Sequence, residues 1–93
     1  MFIGLLKLEL RLSGCSSLKQ KRQTLNAIKD RFGKHKNVAV TESNFNDVHQ
    51  RAELSFICMS NDKSLIEAML AKISHFCGCE VDAQIVNEYV EWL

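Results

Sequence analysis

The chain has no proline, four glycines, one tryptophan and one tyrosine. No repeat, low-complexity stretch or linker interrupts it, so nothing divides its 93 residues into separate units. Residues 1–93 are expected to form one domain, long enough to close a core without metal or disulfide staples. No run reaches the roughly 18 apolar residues of a membrane span. The opening Met1–Leu6 stretch is cut short by Lys7 and Glu9 and has neither a basic leader nor a cleavage site. No membrane partner is expected, and the cytoplasm is the expected location. There the four cysteines, Cys15, Cys58, Cys77 and Cys79, would be reduced thiols.

Charge of one sign is also scarce. The formal net charge is +1, with 25% charged residues. That excludes gross electrostatic attraction to nucleic acid or membrane and leaves only a local patch. No carboxylate pair, glycine-rich phosphate loop or nucleophile motif is present. The reading is therefore a non-enzymatic protein with no catalytic residue and no cofactor.

Patterning is what the sequence has in quantity. In residues 2–12, Phe2, Gly4, Leu6, Leu8, Leu10 and Leu12 fall on one face. Ile3, Leu5, Lys7, Glu9 and Arg11 fall on the other, which is a strand with one buried side. Ser17 and Gln20 have capping-box spacing. Leu18, Leu25, Ile28 and Phe32 then recur at helical spacing, and Gly33 can close that helix. A strand over 37–43 places Val38 and Val40 together, and Asn44-Phe45-Asn46-Asp47 reads as a turn. A strand over 49–59 places Ala52, Leu54, Phe56 and Cys58 on one face. Ser60-Asn61-Asp62 offers caps for a second helix striped by Leu65, Ile66, Met69, Leu70, Ile73, Phe76 and Cys77. Gly78 is placed to end it, and a last strand runs over 80–92.

The order β-α-β-β-α-β predicts an α+β, ferredoxin-like sandwich: a four-stranded antiparallel sheet with two helices on one face.

Three motifs carry a resemblance across nearly the whole chain. They are Leu12-Ser13-Gly14-Cys15, then Ser17-Leu18-Lys19-Gln20-Lys21-Arg22, then His49-Gln50-Arg51-Ala52-Glu53-Leu54. Together they resemble the YlxP-like family of small bacterial proteins, a family of unknown function. The resemblance implies the ferredoxin-like fold. It also implies, by gene neighbourhood alone, work near RNA or the ribosome. The extra cysteines and the Phe45 turn depart from the family's pattern.

In this topology one end should collect Lys19, Lys21, Arg22, His49, Arg51, His75, Cys77 and Cys79. Cations in a first helical turn oppose the helix dipole, so Lys19, Lys21 and Arg22 need another reason to be there. A bound phosphate would supply one, with Arg51 adding a bidentate contact and His49 nearby. The leading expectation is thus an accessory protein that binds RNA or a ribonucleoprotein, including ribosome-associated proteins, through Lys19, Lys21, Arg22, His49 and Arg51. The plain alternative is an ion pair between Lys21 and Glu42. The helix-free sheet face shows no aromatic on the first or third strand, which argues against base stacking there. Its Ile3, Leu5, Ile57 and Met59 instead suggest an apolar interface, so the rival expectation is a protein–protein module that forms a homo-oligomer. Trp92 is a further candidate contact. A metal centre at His75, Cys77 and Cys79 lacks the second matched pair that zinc sites show. Cys15 has no readable His–acid partners, so it is not assigned as a nucleophile.

Overall fold

The computed structural model describes all residues from Met1 to Leu93. Strand β1, Phe2–Arg11, keeps the alternation of its sequence. Gly4, Leu6, Leu8 and Leu10 are buried, while Lys7 and Arg11 are exposed. Leu12 continues the buried row, and its N–H donates to the Gln50 carbonyl at 2.9 Å.

Helix α1, Leu18–Phe32, starts where the sequence predicts. Ser17 is extended, and its hydroxyl accepts from the Gln20 N–H at 3.2 Å. The return arm of the box differs from expectation. The Gln20 Oε1 accepts from Ser16, from its N–H at 2.7 Å and its hydroxyl at 3.0 Å. Two residues before the helix are therefore tied to its first turn. Leu25, Ile28 and Phe32 point into the core, and so does Lys21.

Strand β2, Val38–Asn44, and strand β3, Arg51–Ser60, form a hairpin with a bulge at Ser43. β1 and β3 pair residue for residue, from Phe2 opposite Ser60 to Arg11 opposite Arg51. Helix α2, Lys63–Cys79, is capped by Asp62, whose side chain accepts from the Ser64 N–H. Strand β4, Gln84–Trp92, returns beside β1 with a register shift opposite Glu9 and Leu10. The sheet order is β2-β3-β1-β4, with all pairs antiparallel. This is the ferredoxin-like α+β fold that the element order predicts.

The core lies between the sheet and the helices. Phe32 is its hub, edge-on to both Phe56 and Phe76. Gly4 lets α2 approach β1 closely. A β-carbon there would stand 3.0 Å from Ile66 Cγ2 and 3.4 Å from both Leu70 Cδ1 and Trp92 Cζ3.

Boundaries differ at three places. β3 begins at Arg51, so His49 lies in the preceding turn. α2 runs through Gly78 to Cys79, and the Glu80 N–H closes it on the Phe76 carbonyl. Gly78 serves close packing instead, since a β-carbon there would lie 3.3 Å from Ile85 Cδ1. β4 therefore starts later than expected, at Gln84. No helix is long and apolar enough to cross a membrane.

Candidate functional site

The basic end is built by α1 and the loop between β2 and β3. Period two along β2 carries Val38, Val40 and then Glu42 to the side facing α1, where Glu42 lies opposite Leu54. Lys21 occupies a core-facing position of α1, one turn before Leu25. The two side chains therefore meet under the helix. The Lys21 Nζ is 2.7 Å from the Glu42 Oε2, with Lys21 only 2% exposed. That oxygen is fully buried and has no directed hydrogen bond, so the contact is ionic. The same Nζ donates to the carbonyls of Phe45 and Val48, each at 2.7 Å. Two loop carbonyls thus accept hydrogen bonds from the ammonium, and the Glu42 carboxylate balances its charge.

This arrangement explains the loop. Phe45 has φ 60°, a left-handed conformation that costs a non-glycine residue roughly 1–2 kcal/mol. The Asn44 side chain accepts from the Phe45 N–H, and Lys21 holds its carbonyl. The Arg51 guanidinium lies 4.0 Å over the Phe45 ring. Arg51 also pairs with Glu9, Nη2 to Oε2 at 2.7 Å, and its side chain is half exposed.

The predicted basic residues therefore separate. Lys21 is an internal clamp, buried and ion-paired with Glu42, which is the ion-pair alternative. Arg51 is partly committed. Lys19, Arg22 and His49 are exposed and have no acidic partner within ion-pair distance. The sequence reading missed the Phe45 and Val48 carbonyls, because nothing local predicts which loop carbonyls turn inward.

The helix-free face brings the predicted apolar residues together. Ile3 lies opposite Met59 and Leu5 opposite Ile57, with Ala39 beyond Ile57. Ile57 and Met59 are 40% and 47% exposed. The other half of the face carries Lys7, Glu9, Arg51 and Glu53. Tyr89, opposite Lys7, is an aromatic on this face that the sequence reading did not place there. Its hydroxyl donates to Glu91, and that bond together with the carboxylate's charge raises the phenol above its usual range.

Trp92 points to the opposite side of the sheet, over Gly4. The thiols do not converge. Cys77 is fully buried in the core, and burial pushes its thiol up to about 12. Cys58 is buried and shifted in the same direction for the same reason. Cys15 is buried and donates to the Ser17 carbonyl, while His75 and Cys79 are exposed. No three His, Cys, Asp or Glu side chains stand where they could share a metal ion.

Fold and surface together define a ferredoxin-like α+β sandwich with a clamped basic end and an uncovered sheet face. The chain belongs to the DUF503 family, described as proteins of unknown function, whose family model matches residues 3–90. No curated protein matches the sequence. Among solved structures it is similar to that of a provisionally assigned chlorite dismutase, TA0507, with TM-score 0.60 and 9% identity. The alignment covers 99% of this chain, which spans 42% of that protein's length. It is also similar to At3g17210 of Arabidopsis thaliana, with TM-score 0.46 and 10% identity, over 98% of this chain and 92% of that one.

Proposed function

We propose that this DUF503 chain is a protein–protein interaction module that pairs with a second copy through the helix-free face of its sheet. One observation carries the reading. Ile3, Leu5, Ile57 and Met59 form a contiguous apolar block on a face that no helix covers, and two of the four stand at least 40% exposed. Beside the block lie Lys7, Arg51, Glu9 and Glu53, two of each sign. A two-fold axis through such a face presents each patch to its own copy, so balanced charge suits it. The test is sedimentation equilibrium. The unmodified protein is expected to dimerise. Ile57→Asp, at an exposed position, is expected to weaken the dimer about tenfold or more, which is about 1.4 kcal/mol. A monomer at high concentration in the unmodified protein overturns the reading.

A second reading keeps the chain as an accessory of RNA or a ribonucleoprotein. The first turn of α1 contains no acidic residue, and Lys19 and Arg22 stand exposed beside it without anionic partners. The YlxP-like motifs favour the same direction. Contacts would run to phosphate through Lys19 and Arg22, with His49 and the free part of Arg51 in support, and without Lys21.

A further inference from the structure

The largest groove in the molecule lies on the other side of the sheet, between α2 and the edge strand β4. It encloses about 480 Å³. Leu6 and Leu70 form its floor, Val90 and Trp92 one wall, and Glu67 and Glu88 its polar rim. Val90 and Trp92 are 45% and 39% exposed. Lys63 lies 4.8 Å from the Trp92 ring centre and covers that ring in part.

The groove runs along an unpaired strand edge. β4 bonds to β1 alone, so its outer row of N–H and C=O groups has no partner strand. After the register shift, Asn87–Trp92 is a regular six-residue run with no proline and no lysine, two of the devices that protect edges. The other edge, β2, is shorter and bulged at Ser43.

Charge decides what the edge would take. Residues 84–93 contain Glu88 and Glu91 and no cation, and Glu67 joins Glu88 on the groove side, against the single cation Lys63 over Trp92. Glu88 lies on the groove side of β4 and Glu91 on the far side, so two β4 strands paired edge to edge would bring four carboxylates and no cation from their 84–93 runs. A second copy therefore offers this edge no complementary charge, whereas a cationic segment does.

We propose that the β4 edge and its groove bind an extended, cationic and apolar segment of a partner protein, adding it as a fifth strand. Main-chain bonds along the edge supply affinity, and alternate side chains supply specificity. On the groove side the segment places apolar residues opposite Trp92 and Val90 and a cation opposite Glu88. On the far side a second cation meets Glu91.

The probe is the hexapeptide Val-Lys-Val-Thr-Lys-Thr, acetylated and amidated, written in the order that opposes positions 92 to 87. Trp92 is the sole tryptophan, so its emission reads the groove directly. The expected result is a saturable change in emission, with amide-exchange protection confined to β4. A peptide with glutamate for both lysines is expected to bind at least about tenfold more weakly. Glu88→Lys, folded by circular dichroism, is expected to reverse that preference, with Glu88→Gln removing it if the first variant fails to fold. Ile57→Asp is expected to leave binding unchanged, which separates this site from the dimer face. No response at about millimolar peptide overturns the proposal. So does equal response to both peptides. Concentration-dependent protection of Asn87–Trp92 without peptide also overturns it, in favour of a second copy.

Discussion

The end of the molecule where α1 begins and the flank where α2 meets β4 treat their side chains in opposite ways. At the first, a charged group is taken inside and paired with a carboxylate, and Lys21 is 2% exposed. At the second, large apolar groups are left outside, with Val90 45% and Trp92 39% exposed. A cluster of charge in a sequence therefore does not by itself mark free binding capacity. Capacity remains where groups lack partners. Here that means Lys19 and Arg22 at one end, and a strand edge with its groove at the flank.

Lys21 gives the largest expected effect and the most direct way to break this contrast. Lys21→Ala would leave a buried carboxylate oxygen and two loop carbonyls without their cation. Removing one partner of a buried ion pair costs about 3–5 kcal/mol. Urea unfolding should show a loss of that size, read from the midpoint at constant slope. The double variant Lys21→Met with Glu42→Leu should recover much of it, because no charge is then stranded. A loss below about 1 kcal/mol in Lys21→Ala would mean that water replaces the ammonium, on the scale of an exposed pair. The α1 end would then not be closed.

The second test asks whether the openness of the flank stops at its outer layer. Cys77 lies on the inner side of α2, fully buried, with its thiol pushed from an ordinary value of 9.0 to about 12. The folded protein holds that proton after the unfolded chain has released it. The unfolded state is then favoured as pH rises, so the stability present below about pH 9 is lost between 9 and 12. Cys58 acts in the same direction. Urea midpoints should decline over that range, and Cys77→Ala should flatten the decline. Parallel declines in both proteins would show that water reaches the thiol and that the flank is loose throughout.

Much of this was legible because burial follows period. The alternation in β1 and β3 gave their buried faces, and the Ser17 cap gave the start of α1. Even the clamp was half visible. Lys21 falls on the helix stripe with Leu25, and Glu42 continues the inward row of Val38 and Val40. What the sequence concealed depends on contacts between distant segments. The left-handed Phe45 and its inward carbonyl are set by a lysine 24 positions earlier. Gly78 reads as a helix stop by local rule, yet it serves the approach of Ile85 from β4. The groove has no motif because its floor and walls come from β1, α2 and β4, each of which reads as ordinary core pattern.

The smallest effect on stability is expected at Lys19 and Arg22, and its smallness makes it useful. Both are exposed and unpaired, so Lys19→Ala with Arg22→Ala should change the unfolding free energy by no more than about 0.5 kcal/mol each. Removing Lys19 from a first helical turn that has no acid, and Arg22 just after it, should, if anything, relieve the helix dipole. Against that quiet background, binding to a short single-stranded RNA can be read cleanly. If these side chains meet phosphate, the double variant should bind more weakly at every sequence tested. Its salt dependence should also be shallower, by about 0.7 for each phosphate no longer neutralised. Unchanged affinity and slope would remove the RNA reading while leaving the sheet face and the β4 edge untouched. The α1 end would then be closed in every respect, and the molecule's binding would lie wholly on its sheet.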